Sequence, residues 1–113
     1  WLLMAIAKVE SNFNSNSINV NSNKSLDVGL MQINSFWFPT LQRYGIAKES
    51  LFNPCVSIFV GAWILAQNIR QFGYNIDGIG AYNSPRNVNI RRNYALKVYK
   101  SYNELTSKYY YKK

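Results

Sequence analysis

The stretch from Asn53-Pro54 to Gly73 restricts the possible folds more than any other. Asn53 suits an N-cap, because its side-chain oxygen accepts from backbone N–H groups that the first helical turn leaves unpaired. Pro54 suits the first helical position, where a missing N–H removes no bond. Gly73 suits the residue just past the last turn, where φ turns positive. Between these signals lie Val56, Ile58, Phe59, Val60, Ala62, Trp63, Ile64, Leu65 and Ile69, apolar on almost every side. That pattern predicts a central, buried helix ending near Phe72. Gly61 and Ala62 would let another element approach it closely.

The remaining segments are shorter. Residues 1–13 read as a helix, with Leu2, Leu3, Ala5, Ile6, Val9 and Phe13 on one side and Lys8, Ser11 and Asn12 on the other. Residues 14–27 are rich in Asn and Ser, with Asn19, Asn21 and Asn23 alternating, which predicts turns or a short irregular hairpin. Val28 to Ile33 suits either a short strand or a helix start. Pro39 to Tyr44 suits a short helix closed by Gly45, and Gly78 to Pro85 a loop or turn. A last amphipathic helix is predicted over residues 91–106 through Tyr94, Ala95, Val98, Tyr102 and Leu105.

The chain has 113 residues, of which 48% are apolar and 16% aromatic, enough to fill the core of a single domain over residues 1–113. No apolar run reaches the ~18 residues that span a bilayer. The run Trp1-Leu2-Leu3-Met4-Ala5-Ile6-Ala7 is interrupted by Lys8 and Glu10 and has no cleavage signal after it. It reads as a helix met midway, which predicts a native N-terminal segment ahead of Trp1.

The net charge of +8 is uneven: from Arg86 onward there are eight Lys and Arg against one acid. A solvated basic face is the plainest reading. Attraction to an anionic polymer such as the bacterial cell wall is a second. Nucleic-acid binding is a third, its best feature being Tyr109-Tyr110-Tyr111 beside Lys112-Lys113, but no nucleic-acid fold motif accompanies it. Cys55 is the only cysteine; it suits a buried free thiol or a residue whose disulfide partner lies elsewhere in an exported protein.

Acid–base chemistry has few candidates. The carboxylates are Glu10, Asp27, Glu49, Asp77 and Glu104, and there is no histidine. A Ser or Cys nucleophile would lack a histidine base. Without His or a Cys pair there is no metal set, and no glycine-rich loop cradles a phosphate, so no cofactor is expected. Glu10 lies toward the edge of the first helix's apolar side, near its C-terminus. Desolvation and the helix dipole both favour the protonated acid there, which can donate a proton to a glycosidic oxygen. A glutamate bonded to backbone groups at a helix edge is the commoner case for such a position. Asp27 lies among Asn, Ser and Lys, a setting that suits a charged carboxylate, though an Asp before Val28-Gly29 is by itself more often a turn residue. Two carboxylates in unlike settings recur in glycoside cleavage. The amides of Gln32, Asn34 and Asn83 can bond sugar hydroxyl and N-acetyl groups, and Phe36, Trp37 and Tyr82 offer faces for pyranose rings.

Three motifs in order now carry a resemblance: Glu10-Ser11-Asn12-Phe13-Asn14, then Gly29-Leu30-Met31-Gln32-Ile33-Asn34-Ser35, then Ala81-Tyr82-Asn83. Together they resemble the lytic transglycosylase domain of the goose-lysozyme-like group over roughly residues 2–105. Asn53-Pro54-Cys55 followed by Gly61-Ala62-Trp63-Ile64-Leu65-Ala66 resembles the small transglycosylases of type III secretion, type IV pilus and conjugation systems. The resemblance implies a mainly α, lysozyme-like domain with a small irregular β or loop element at about residues 15–34. It implies cleavage of the β-1,4 bond between N-acetylmuramic acid and N-acetylglucosamine, with Glu10 as acid and then base, closing a 1,6-anhydro ring. Ser11, Met31, Gln32, Asn34, Tyr82 and Asn83 would bind substrate, with the Tyr82 hydroxyl steadying Glu10. It also implies that Cys55 pairs with a cysteine near the mature N-terminus.

The run Ser25 to Ser35 is also similar to c-type lysozymes, whose catalytic aspartate stands where Asp27 does, although their several cysteines are missing. Asp27 thereby joins Glu10 as a catalytic candidate and raises a muramidase that hydrolyses the same bond as an alternative. A murein-binding module without activity is a further one. The expected partners are peptidoglycan glycan strands and components of a secretion, pilus or conjugation apparatus, with no nucleic acid and no membrane span. The expected location is the periplasm.

Overall fold

The computed structural model describes residues 1–109. Residues Tyr110, Tyr111, Lys112 and Lys113, part of the candidate nucleic-acid tail, lie outside the described residues. Helix α1 spans Leu2–Ser11. A three-stranded antiparallel sheet follows, with β1 at Ile18–Val20, β2 at Leu26–Val28 and β3 at Ile33–Asn34, in that spatial order. Helix α2 covers Phe38–Arg43, α3 Pro54–Phe72, α4 Ile76–Gly80 and α5 Val88–Tyr109, with single 3-10 turns at Ser35–Trp37 and Lys48–Phe52. The protein is therefore mainly α with a small β element, as the sequence predicts. No helix among the described residues is long and apolar enough to cross a membrane.

The chain divides into two compact units. One holds Glu10–Gly61, the other Trp1–Val9 with the chain from Ala62 onward. In the first, the sheet buries Val28 and Ile33, and Leu30, Met31, Leu41, Leu51 and Val60 are buried as well. Each such side chain contributes about 1.5–3 kcal/mol on leaving water. In the second, Ala5, Ile6, Ile64, Leu65, Ile79, Tyr94, Ala95, Val98 and Leu105 are buried. Here α4 packs on α5. The Trp1 ring stacks on Tyr109 with centroids 6.3 Å apart, and Lys8 Nζ reaches Glu104 Oε2 at 3.4 Å. These two contacts run α1 antiparallel to the C-terminal part of α5.

The α3 boundaries follow their signals. Asn53 Oδ1 accepts from the N–H of Cys55 at 2.9 Å and of Val56 at 3.3 Å. Gly73 ends the helix with φ 94°. The expectation of burial all round needs correction: Ile58 and Phe59 are exposed, Phe59 by 69%. An apolar composition shows that a helix can be buried, not which side finds a partner. Cys55 is exposed and unpaired, which removes the buried-thiol reading.

Three further expectations change. α1 stops at Ser11 because Asn12 and Phe13 take φ 51° and 65°, so Phe13 leaves the apolar stripe and is exposed. The stretch from Gly78 to Pro85 is not all loop, because Gly78 to Gly80 belong to α4. Asn75 Oδ1 accepts from the N–H of Asp77 and of Gly78, both at 3.0 Å, and starts α4. Finally, α5 begins earlier than predicted, at Val88, with Asn87 Oδ1 accepting from Ile90 N–H at 3.0 Å. Its buried row uses Ser101, whereas Tyr102 is exposed.

Candidate active site

The sheet puts a polar row and an apolar row on opposite faces. Asn19 pairs with Asp27 and Asp27 with Asn34, so these three side chains share one face. Val28 and Ile33, one residue out of step, go into the core. On the polar face Asn34 Nδ2 donates to Asp27 Oδ1 at 2.9 Å, and Asn21 Nδ2 donates to Asp27 Oδ2 at 3.1 Å. Ser25 Oγ ties the two amides together, accepting from Asn21 at 3.0 Å and from Asn34 at 3.1 Å. Asp27 thus sits mid-strand, not in a turn, and each of its oxygens has a donor. It is half-buried.

Glu10 lies in the last turn of α1 and is also half-buried. The next residue fixes that turn: Ser11 Oγ donates to the Leu30 carbonyl at 2.7 Å. Ser11 therefore joins the helix end carrying Glu10 to the turn between β2 and β3. That turn is itself over-determined. Gly29 has φ 81°, its N–H donates to Ser17 O at 2.8 Å, and a Cβ there would run into the Leu51 carbonyl. Met31 N–H donates to Ser57 Oγ at 3.0 Å, with Ser57 wholly buried in α3. Gln32, at φ 52°, is buried and held by three bonds. Its Nε2 donates to Gly29 O at 2.9 Å and Ser17 O at 3.2 Å, and its Oε1 accepts from Asn19 at 2.7 Å. Non-glycine residues at positive φ persist only where neighbours hold them. Here the holding groups are the side-chain amide and two backbone carbonyls.

Tyr82 and Asn83 belong to the other unit, on the turn leaving α4. Tyr82 N–H donates to Ile79 O at 3.2 Å and Asn83 N–H to Gly80 O at 3.1 Å. Tyr82 is half-buried and Asn83 exposed. Below this turn Asp77 Oδ1 accepts from Arg91 Nε at 3.1 Å and Arg92 Nε at 3.2 Å. Hydrogen bonds from Arg92 and then Arg91 hold the Asp77 carboxyl below the usual carboxylate range.

Of the residues singled out by sequence, Glu10, Ser11, Asp27, Gln32 and Asn34 occur together within Glu10–Gly61. Asn34 is divided between Asp27 and the chain, since its Oδ1 also accepts from Phe36 N–H at 2.9 Å. Gln32 braces the turn with both amide hydrogens. Met31 is 0% exposed, so its side chain fills the core and presents no surface to solvent. Asn19, Asn21 and Ser25, which the sequence marks only as hairpin or motif residues, and Ser57 also hold this region together. Asn19 lies in β1, whereas Asn21 lies in the turn just after it, where its N–H donates to the Ser25 carbonyl at 2.8 Å. The bond that Ser57 Oγ accepts from Met31 N–H has no local signal at all.

The transglycosylase SLT domain family model matches residues 1–107. The chain is 43% identical to invasion protein IagB of Salmonella typhimurium over 108 residues, which is 92% of this chain and 68% of that one. It is 40% identical to protein IpgF of Shigella flexneri over 105 residues, 89% of this chain and 69% of that protein. It is 38% identical to X polypeptide of Escherichia coli over 112 residues, 94% of this chain and 66% of its length. A match over nearly the whole chain, on a mainly α fold with a small antiparallel sheet, makes this protein a member of the transglycosylase SLT domain family.

Proposed function

We propose that the chain cleaves the β-1,4 bond between N-acetylmuramic acid and N-acetylglucosamine in peptidoglycan. Glu10 donates its proton to the bridging oxygen as the bond to the muramyl C1 breaks. The Glu10 carboxylate then takes the proton of the muramyl 6-hydroxyl, whose oxygen bonds to C1 and closes a 1,6-anhydro ring. Asp27 stabilises the positive charge that develops on the muramyl ring. The observation that carries this reading is the Asp27 carboxylate held by Asn21 and Asn34 on the sheet's polar face. Both donors hold the carboxylate in place before charge develops, so little reorganisation is needed in the transition state. Ser11 adds to this by fixing the Glu10 turn to the Leu30 carbonyl.

Substrate contacts in this proposal come from Asn34, Tyr82 and Asn83. Ser11, Gln32 and Met31 act behind them by fixing backbone. The Asp27 geometry also favours a second reading, a lysozyme-type muramidase. There a water in place of the 6-hydroxyl leaves a reducing-end sugar. In this proposal the cleavage opens the wall locally for an envelope-spanning apparatus, in the periplasm; what supports that setting is the resemblance carried by Asn53-Pro54-Cys55 and by Gly61 to Ala66. Digestion of purified sacculi by parent and Glu10→Gln protein tests the reaction. A folded Gln variant with parent turnover would remove Glu10 from it.

A further inference from the structure

Arg91 joins three elements with one guanidinium, and its side chain is only 13% exposed. Its Nε donates to Asp77 Oδ1 in α4 at 3.1 Å. Its Nη1 donates to the Pro85 carbonyl at 3.2 Å, at the far end of the Tyr82-Asn83-Ser84 turn. The cation also lies over the Phe72 ring, 5.0 Å from its centroid, at the end of α3. The backbone is equally close: a Cβ on Gly80 would run into the Arg91 carbonyl. The turn that carries Tyr82 and Asn83 is therefore tied at both ends. Gly80 O accepts from Asn83 N–H at 3.1 Å and Ser84 N–H at 3.2 Å at the start, and Arg91 holds Pro85 at the finish.

We infer that Arg91, oriented by Asp77, is a positioning residue that sets the Tyr82-Asn83 turn for substrate. The inference rests on the proposed use of Tyr82 and Asn83. The planar fork is what the position requires, because it addresses a carboxylate and a carbonyl at fixed angles while stacking on a ring. A lysine ammonium is a single point on a flexible stem and cannot hold both acceptors in one orientation. Asp77 receives a second guanidinium from Arg92, with Nε at 3.2 Å and Nη2 at 3.4 Å, which fixes the carboxylate that in turn fixes Arg91.

The test compares the parent with Arg91→Lys in two readouts. Amide exchange at Asn83 and Ser84 should accelerate about tenfold, because the turn opens locally, with Ala95 and Val98 in α5 unchanged. With purified sacculi, kcat should fall about tenfold, near 1.4 kcal/mol of barrier, with KM altered less than about twofold. Lys97→Gln, an exposed change on the same helix, should match the parent in both. Should Arg91→Lys fail to fold, Asp77→Asn replaces it, with the same readouts shifted in the same direction. Unchanged exchange at Asn83 and Ser84 overturns the inference, and so does faster exchange with unchanged kcat. Failure of the murein-cleaving reading is separate: the parent itself would then release no product, while amide exchange would still decide whether Arg91 holds the turn.

Discussion

Asn34 stands opposite Asp27 across β2 and β3 and donates its amide N–H to Asp27 Oδ1 at 2.9 Å. With Asn21 donating to the other oxygen, the carboxylate faces two amides that can only offer hydrogens in this arrangement. The bond also couples the site to the chain that follows, because the same Asn34 caps the 3-10 turn at Ser35–Trp37.

Asp27→Asn keeps the shape and puts an NH2 group against one of those two donors. Turnover should fall by one to several orders of magnitude, at roughly 1.4 kcal/mol per tenfold. Stability should drop by only ~1–2 kcal/mol from the mismatched amide. Sacculus digestion with urea unfolding measures both. Parent turnover in the folded variant would make Asp27 structural and leave Glu10 as the sole catalytic carboxylate.

Gly29→Ala should destabilise the fold by on the order of 3 kcal/mol, combining a positive φ with a Cβ driven against the Leu51 carbonyl. Thermal unfolding checks it. Gly45→Ala is the internal control. It also has positive φ, 79°, but open space around the added Cβ, so its loss should be clearly smaller.

How far these features were legible in the sequence depended on the range of the interactions behind them. Asn53, Pro54 and Gly73 act within one helical turn, so the α3 boundaries could be read directly. Helix α4 was missed because Gly78 and Gly80 read as loop residues. Their lack of a side chain is needed for the approach to the Gly73 and Arg91 carbonyls, contacts that propensity does not contain. Phe59 was expected inside because its neighbours are apolar, yet no packing partner covers it among the described residues. At the candidate site, the motif around Asp27 marks it as a proposed catalytic carboxylate. Its donors could not be read, since Asn34 reaches it only through the β2–β3 register. Likewise the bonds of Gln32 to the Ser17 and Gly29 carbonyls follow from its positive φ, which its neighbours in sequence do not announce.

Acid should weaken the Asp77 clasp in a defined direction. Hydrogen bonds from Arg92 and then Arg91 hold its carboxyl below the ordinary aspartate range, so the folded state favours the charged form. The stabilisation is therefore fully present above the unfolded value and is lost as pH falls through the folded one. Melting temperatures measured from about pH 5 to about pH 2 should fall for the parent. Asp77→Asn should melt lower at pH 5 and lose less across that range. Parallel curves for the two proteins would contradict the clasp.

Cys55 is exposed at the start of α3. In this chain a thiol reagent should label it in the native state, at one label per chain and without denaturant. Labelling only after unfolding would mean that this end of α3 is covered in solution.

Mass spectrometry of the soluble products from sacculi treated with parent and Glu10→Gln proteins tests the central claim most directly. The parent should release muropeptides ending in 1,6-anhydromuramic acid, one water lighter than the hydrolysed form. The folded Gln variant should release essentially none, because an amide cannot deliver the proton. Reducing-end products from the parent would make it a muramidase acting through the Glu10–Asp27 pair. A folded parent that releases nothing, or a folded Gln variant that releases as much as the parent, would contradict the account.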